Sequence, residues 1–393
     1  MYSAIVIGLG PAGSTAAYTL ARAGHKVIAF DKETFPRYKS CGGCISTKVE
    51  GLFDFDISGV VEETIVGGQF TYKSARPMNI ISDRTVGYNV MRDRFDHLLV
   101  QEAERAGAEI VEGCRVRAVV DKGTHTEVTV DSGETYTARF VIGADGASGF
   151  TGRELFGLNS KGAAVSITAE VEFDPKTIGE DVTGKLFIDF GTVPWGYGWI
   201  FPKEKCLSVG MAGEIKQTGT SIKQYFEEFV TNHPVLKQFD ITERTGWTVP
   251  IFYDEKKDLH KGRVCLAGDT GHLVDPFLGE GIYYAVMTAR AAANTVAASV
   301  DSGTGDLSDY QEWLDTELLP EFVSAEKIAN LIYKYPRLWF SILEKDTDIM
   351  QRYYDVIRGE ESAEVFYNWV FSKVKSKPWK VLKSWVDSRL MPA

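Results

Sequence analysis

The run AIVIGLGPAGSTAAYTLARAGHKVIAFDK, residues 4–32, constrains the fold more than any other stretch. An apolar strand passes through a glycine-rich turn into an alanine-rich helix, and a second apolar strand follows and ends at Asp31, which makes one βαβ unit. Gly8, Gly10 and Gly13 stand in GxGxxG spacing between strand and helix. That spacing lets the backbone turn tightly and brings helix N–H groups to a pyrophosphate. Pro11 and Ala12 complete the turn. Asp31, 23 residues after Gly8, is placed to accept ribose hydroxyls, with Lys32 beside it. The unit predicts a dinucleotide site and does not by itself separate NAD from FAD.

At 393 residues the chain exceeds what one hydrophobic core organises. The helix RDRFDHLLVQEAERAG sets Phe95, Leu98, Leu99 and Ala103 on one face, and short alternating strands follow over 108–142. From about 160 to 255 the texture turns β-rich, in runs such as AVSITAEVEF, KLFIDFG and YGWIFP broken by Gly, Pro and Asp. The strand-then-glycine pattern returns at GRVCLAGDTG, and the long helix GIYYAVMTARAAANTVAASV comes after it. The expected fold class is therefore α/β. A three-layer Rossmann-like dinucleotide domain (1–70, 86–158 and 262–309) carries an inserted, mainly antiparallel β-sheet domain (71–85 and 159–261), and a helical region (310–393) closes the chain. No internal repeat is present.

The net charge of −11 argues against a nucleic-acid surface. Residues 371–393 run the other way, with six basic residues and one acidic. Five scattered cysteines predict a reducing compartment rather than a disulfide framework. With no basic-then-apolar leader and no apolar run near the roughly 20 residues a membrane span needs, cytoplasm is the expected location.

Two later segments resolve the cofactor. VIGADGASG and GDTGHLVDPFLGEGI resemble the further fingerprints of the glutathione-reductase-like FAD fold, in its hydroxylase-type branch. The resemblance implies FAD, with Asp145, Gly268 and Asp269 at the cofactor and Asp269 on its ribityl chain. Pro276, Gly279, Gly281 and Ile282 then shape the backbone around the flavin ring, where a helix N-terminus suits an anionic reduced flavin. VMRDRFDHLL resembles the segment in which an arginine leads the helix beside the cofactor, and Arg92 matches, with Arg94 a near rival. No second GxGxxG follows, so the resemblance implies an external reductant that docks transiently, NAD(P)H, ferredoxin or another carrier. His272, beside the Asp269 fingerprint, is read as a packing or hydrogen-bonding residue.

RYKSCGGCIS, residues 37–46, admits several readings. A zinc site needs about four N/S ligands, and no second CxxC or histidine pair accompanies this one, so no metal is expected. A thioredoxin-type dithiol, two core cysteines and a single functional thiol stay open on the residues alone. Pro36, Arg37, Lys39, Cys41, Gly42 and Gly43 resemble the PR..K.CGG segment of the geranylgeranyl reductase family of flavoproteins. Tyr197, Trp199, Phe201 and Pro202 resemble its YxWxFP mark, with Gly210 after seven intervening residues. The glycine pattern beyond departs from the family, since this chain has GMAG. Family likeness runs from residue 1 to about 300.

That resemblance implies reduction of isolated C=C bonds in a prenyl chain borne by a lipid, a diphosphate or a quinone, with hydride from flavin N5 and the proton delivered at or near Cys41. Arg37, Cys41, Gly42 and Gly43 then lie at the cofactor. A proton donor must stay SH at working pH, whereas a redox dithiol gains from a lowered pKa. Tyr197, Trp199 and Phe201 alternate along a strand and, with Pro202, are expected to wall the prenyl channel, although ordinary sheet packing predicts the same alternation. A flavin monooxygenase or halogenase of the same fold and an electron-transfer flavoprotein are the rival readings. In PWKVLKSWVDSRL, Trp379, Leu382, Trp385, Val386 and Leu390 share a helical face opposite lysines, which fits either peripheral membrane contact or packing on the body.

Overall fold

The computed structural model describes residues 1–159, 163–174, 182–218, 221–253, 257–376 and 378–388, without the side chains of 378–382. An eight-stranded sheet is built around the strand Tyr2–Ile7, which pairs in parallel with Val27–Phe30 on one side and Thr135–Gly143 on the other. Val264–Leu266 extends the sheet beyond Thr135–Gly143, also in parallel. The central strands are apolar without alternation because both faces are covered. On one face the helices Pro11–Arg22 and Ile282–Ser302 pack through Ala12, Ala16, Ala17, Ala285, Ala289 and Ala293, whose short side chains let the helices approach closely. On the other face Val116, Val119, Val128 and Val130 of an antiparallel hairpin cover Ile5, Ile7, Ile28 and Phe30. These are the three layers of an α/β nucleotide-binding fold.

A second sheet has seven strands, in the order Thr245–Val249, Ala164–Glu172, Cys206–Glu214, Gly196–Pro202, Lys185–Phe190, Gly67–Tyr72 and Ala75–Ile81. Its pairings are antiparallel except for Lys185–Phe190 with Gly67–Tyr72. The expected switch at residue 71 falls inside this last strand. Period-2 alternation gives the sheet two faces. One face packs Ile167, Ile200, Val209 and Met211 under Phe226 and Phe229 of the helix Ile222–Asn232. The other looks into a large cavity. A small third sheet, Cys44–Ser46, Gly87–Val90 and Val61–Ile65, joins the two larger ones, and the CGG loop leads into its first strand.

From Ser308 the described chain is helical. Phe340, Tyr353 and Phe366 pack with Phe70, Tyr72 and Phe190 of the seven-stranded sheet. Arg76 holds Glu344 through two bonds of 2.9 and 2.8 Å, and the Tyr354 hydroxyl donates to the Ile80 carbonyl at 2.8 Å. The helical region thus roofs one end of the cavity. In its last helix, Pro378–Ser388, Ser384 and Ser388 are buried while Trp385 and Val386 are exposed. The side chains of Trp379 and Leu382, and Leu390 as a whole, lie outside the described residues.

Asp189 anchors the strand that carries two cavity residues, Ile188 and Phe190. It is 1 % exposed and accepts the Ser74 N–H at 2.5 Å and the hydroxyls of Thr71 and Thr192 at 2.7 and 2.5 Å. Those bonds hold Lys73 and Ser74 at φ +50° and +59°, backbone that L-residues rarely adopt. Burial pushes the Asp189 carboxyl up to about 6, against the pull of its three donors. A folded value above the free one, about 3.9, means the contribution is greatest below that value and is lost as pH rises through about 6. The urea midpoint of the wild type is expected to fall relative to that of Asp189→Asn between about pH 4 and pH 7; parallel pH profiles for the two proteins would contradict this.

Candidate active site

The glycine turn is shaped by contacts a side chain would break. Gly8 has φ +96°, and a Cβ there would lie 2.3 Å from the Ala144 carbonyl oxygen. A Cβ on Gly13 would lie 1.7 Å from the Gly8 oxygen. Above Gly10 the space is open except for Arg37 Nη2, 3.8 Å from where a Cβ would stand. Asp31 takes the Leu9 N–H on one oxygen at 2.6 Å and the Glu33 N–H on the other at 2.8 Å, which fixes its carboxylate at the cavity wall. Lys32 stands at the rim beside Glu33. Arg37 and Arg92 share one fully buried carboxylate, Asp96, which grips Arg92 through two bonds of 2.8 Å and meets Arg37 at 3.1 Å. Burial opposes the Arg92 charge, but Asp96 and Cys41 outweigh it and raise its pKa. Arg94, the sequence rival, is exposed on Glu62.

This cradle fits FAD. Gly10 leaves open space under Arg37 of the kind a pyrophosphate needs, Asp31 lines the cavity beyond it, and Asp269 lies against Gly281 at the start of the Ile282–Ser302 helix. Pro276, Gly279, Gly281 and Ile282 line the same cavity. Three expected site residues stand behind the wall. Gly13 packs on Gly8, Gly268 packs between Ala12 and Ala285, and Pro202 gives its carbonyl to Asn89 Nδ2 at 2.7 Å. Asp145 lines the cavity, but Thr151 occupies its carboxylate through N–H and hydroxyl.

The cavity, about 860 Å³, runs from the glycine turn across the seven-stranded sheet to the helical roof. Tyr197, Trp199 and Phe201 form a ladder on its wall, with successive ring centroids 6.1 Å apart. Gly210, paired with Trp199, makes that ladder fit, because a Cβ on it would stand 2.3 Å from the indole. The Tyr197 hydroxyl is taken by the Leu278 carbonyl, which ties the ladder to the loop before the Ile282–Ser302 helix.

The CGG loop lies on this ladder. A Cβ on Gly42 would meet the Phe201 ring at 2.7 Å, so only glycine brings the backbone there. Cys41 is partly exposed in the cavity, and its sulfur is met by the Arg92 guanidinium and, at 3.4 Å, by the Gly43 N–H. Cys41 and Cys44 are both free thiols. Burial pushes the Cys44 thiol far up, and Glu280 adds to it, so Cys44 stays SH. Lys39 stands at the cavity mouth with its ammonium 3.6 Å from the Trp247 ring centroid. Burial and then Arg92 push it down to about 8.

Several residues of this neighbourhood carry no local sequence signal. Lys203, 2 % exposed, pairs with Glu170 at 3.5 Å beneath the loop, and Ser208 bridges Glu170 and the Cys41 carbonyl at 3.1 and 3.4 Å. Lys48 pairs with Glu280 at 3.3 Å beside Asp275, whose carboxyl burial pushes up to about 6 against the N–H groups of Leu278 and Phe277. His272 is buried at φ +59°, and burial followed by Lys257 lowers it to about 4, which keeps it neutral near pH 7. Among the described residues no group of His, Cys, Asp and Glu forms a metal site, and no helix is long and apolar enough to cross a membrane.

Two glycine replacements separate cofactor contact from folding. Flavin-free Gly10→Ala is expected to melt with flavin-free wild type yet bind flavin at least about tenfold more weakly, because its methyl fills the pyrophosphate space. Gly13→Ala is expected to destabilise the fold itself. Thermal melts and flavin absorbance of the purified variants check this, and normal flavin content in Gly10→Ala would contradict it.

Over residues 1–312 the sequence matches the family described as FAD binding domain. It is 34% identical over 314 residues to a geranylgeranyl diphosphate reductase of Rhodobacter capsulatus, covering 77% of this chain and 76% of that protein. It is 26% identical over 406 residues to a digeranylgeranylglycerophospholipid reductase of Thermoplasma acidophilum, covering 98% and 99%. A solved geranylgeranyl bacteriochlorophyll reductase-like protein from Thermoplasma acidophilum shares the fold, with a TM-score of 0.77, 22% identity and coverage of 98% and 99%. The chain therefore belongs to the FAD binding domain family and, within it, to the geranylgeranyl reductases, flavin-dependent oxidoreductases.

Proposed function

We propose that this reductase saturates isolated C=C bonds of a geranylgeranyl-type chain and that Cys41 delivers the proton. One observation carries the reading: Cys41 opens into the same cavity as the glycine turn, with Arg92 at its sulfur and the next residue, Gly42, against the Trp199 and Phe201 rings, where an apolar stretch continues under the helical roof. An unactivated alkene has no carbonyl to absorb electron density, so hydride at one carbon requires a proton at the other. FAD, reduced by an outside donor such as NAD(P)H or ferredoxin, supplies the hydride equivalent.

The protein's own groups do the rest. The aromatic ladder holds the chain flat and excludes water from the double bond. The Cys41 S–H gives its proton to the carbon that does not receive hydride, and the negative sulfur left behind is met by the Arg92 guanidinium and the Gly43 N–H. Solvent then returns the proton. Cys44, held as SH by burial, takes no part as a redox partner in this scheme. The exposed Trp385 and Val386, with Lys375 and Lys383 on the same last two helices, support peripheral contact of those helices with an anionic bilayer that stores such substrates.

The decisive assay uses protein reduced without oxygen, given a prenyl diphosphate or prenyl lipid. A mass gain of about two daltons per double bond with flavin reoxidation is expected. Cys41→Ala is expected to keep its flavin and lose about 100-fold or more in turnover. Full activity in Cys41→Ala removes the proton role, and products formed only with oxygen favour a monooxygenase. Deleting 371–393 is expected to abolish co-sedimentation with anionic liposomes; undiminished sedimentation removes the membrane contact.

A further inference from the structure

A dry site that protonates carbon must draw its next proton from elsewhere. The aromatic ladder and a bound chain that keep water from the double bond keep it from the Cys41 sulfur as well, so resetting the thiol calls for a side chain that reaches from the wet edge to the CGG loop. Arg92, Cys44, Tyr197, Tyr38 and Lys39 all line the cavity, and each interacts with Cys41 through its charge. A guanidinium does not give up its proton in a protein. Burial holds the Cys44 thiol and the Tyr197 hydroxyl far above neutrality, and burial followed by Glu170 also raises the Tyr38 hydroxyl. Lys39 is the exception.

Its place in the fold suits that task. Lys39 stands two residues before Cys41 in the same loop, and its ammonium lies 3.6 Å from the centroid of the Trp247 ring, on the edge strand of the seven-stranded sheet. Trp247 is 37 % exposed, so this side of the cavity meets solvent. Among the described residues Lys39 makes no ion pair within 4 Å that would lock its proton in place. Burial and then Arg92, from the helix Arg92–Arg105, lower its pKa to about 8, against Asp269 of the turn Gly268–Gly271, Cys41 of its own loop and Asp96 of the Arg92 helix. An ordinary lysine holds its proton up to about 10.4. We infer that Lys39 carries the proton from solvent to the Cys41 sulfur between turnovers. In that step a Lys39 N–H bond breaks and the Cys41 S–H bond forms, so the ammonium becomes a neutral amine and the thiolate a thiol, with no change of oxidation state. Water at the Trp247 edge then restores the ammonium. The inference rests on the proposed role of Cys41 and adds the route by which that residue is reset.

Flavin-loaded, full-length protein is reduced with dithionite in the absence of oxygen and mixed with geranylgeranyl diphosphate, and flavin reoxidation and saturated product are followed through the first turnover and at steady state. Lys39→Met is expected to lose at least about tenfold in steady-state rate, while its first turnover, which starts from a protonated Cys41, falls less than about threefold. Lys39→Arg keeps the positive charge but cannot release a proton, so it should behave as Lys39→Met does. Ethylammonium added to Lys39→Met should recover part of the lost steady-state rate. In the wild type that rate should fall as pH rises through about 8, where the carrier loses its proton, and Lys39→Met should lack this limb. Full recovery in Lys39→Arg, equal losses in both phases, or no loss in either overturns the carrier. So does release of flavin from Lys39→Met on dialysis, which would assign the lysine to cofactor binding. A wild type that forms no saturated product, or a first turnover of Cys41→Ala as fast as the wild type's, overturns the prenyl-reductase scheme and the carrier with it.

Discussion

The seat of the Cys41–Gly43 backbone on the Trp199 and Phe201 rings is the contact on which the rest of the site depends. Three independent parts of the fold meet there. The nucleotide-binding part reaches it through Arg92 and Asp96, the seven-stranded sheet through the aromatic ladder, and the small linking sheet through Cys44, which pairs with Asn89. Asn89 in turn holds the Pro202 carbonyl, and Ser208 holds that of Cys41. A side chain at Gly42 would lift the loop off the rings, and the thiol with it. The proposed mechanism, which sets a hydride donor and a proton donor on one double bond, tolerates little such displacement.

Charge is arranged around that seat with unusual economy. Asp96 is the buried anion shared by two arginines, one above Gly10 and one at the Cys41 sulfur. A buried ion pair of this kind contributes little net stability against an apolar replacement, but loss of its anion leaves two guanidinium groups uncompensated, a cost of about 3–5 kcal/mol for one such break. Lys203 with Glu170 and Lys48 with Glu280 repeat the device below the loop and beside the ring loop. These pairs act by geometry. They hold backbone segments from distant parts of the chain in register around one cavity, in a protein whose overall charge is −11.

Much of this was legible in the residues because the demands are local. GxGxxG with Asp31 is a statement about backbone room, and Gly8 and Gly13 do carry contacts of 2.3 and 1.7 Å to where a Cβ would be. The alternation of Tyr197, Trp199 and Phe201 placed three rings on one wall because strand periodicity is a property of the strand alone. Asp96 was readable in principle, four residues after Arg92 on a helix. The Lys203, Glu170 and Ser208 group beneath the loop was not, since it meets only through the pairing of strands far apart in sequence. Pro202 and Asp145 show the converse, because each sits in a family motif while its polar atoms serve the scaffold.

A crystal structure of the flavin-bound protein with a prenyl ligand tests the account at its centre. The account predicts that the Cys41 sulfur and the reactive edge of the flavin touch the same carbon–carbon double bond, with the chain lying along the Trp199 ring toward Phe70. A sulfur turned away from the ligand, or a chain lying away from the Trp199 and Phe201 rings, would contradict it.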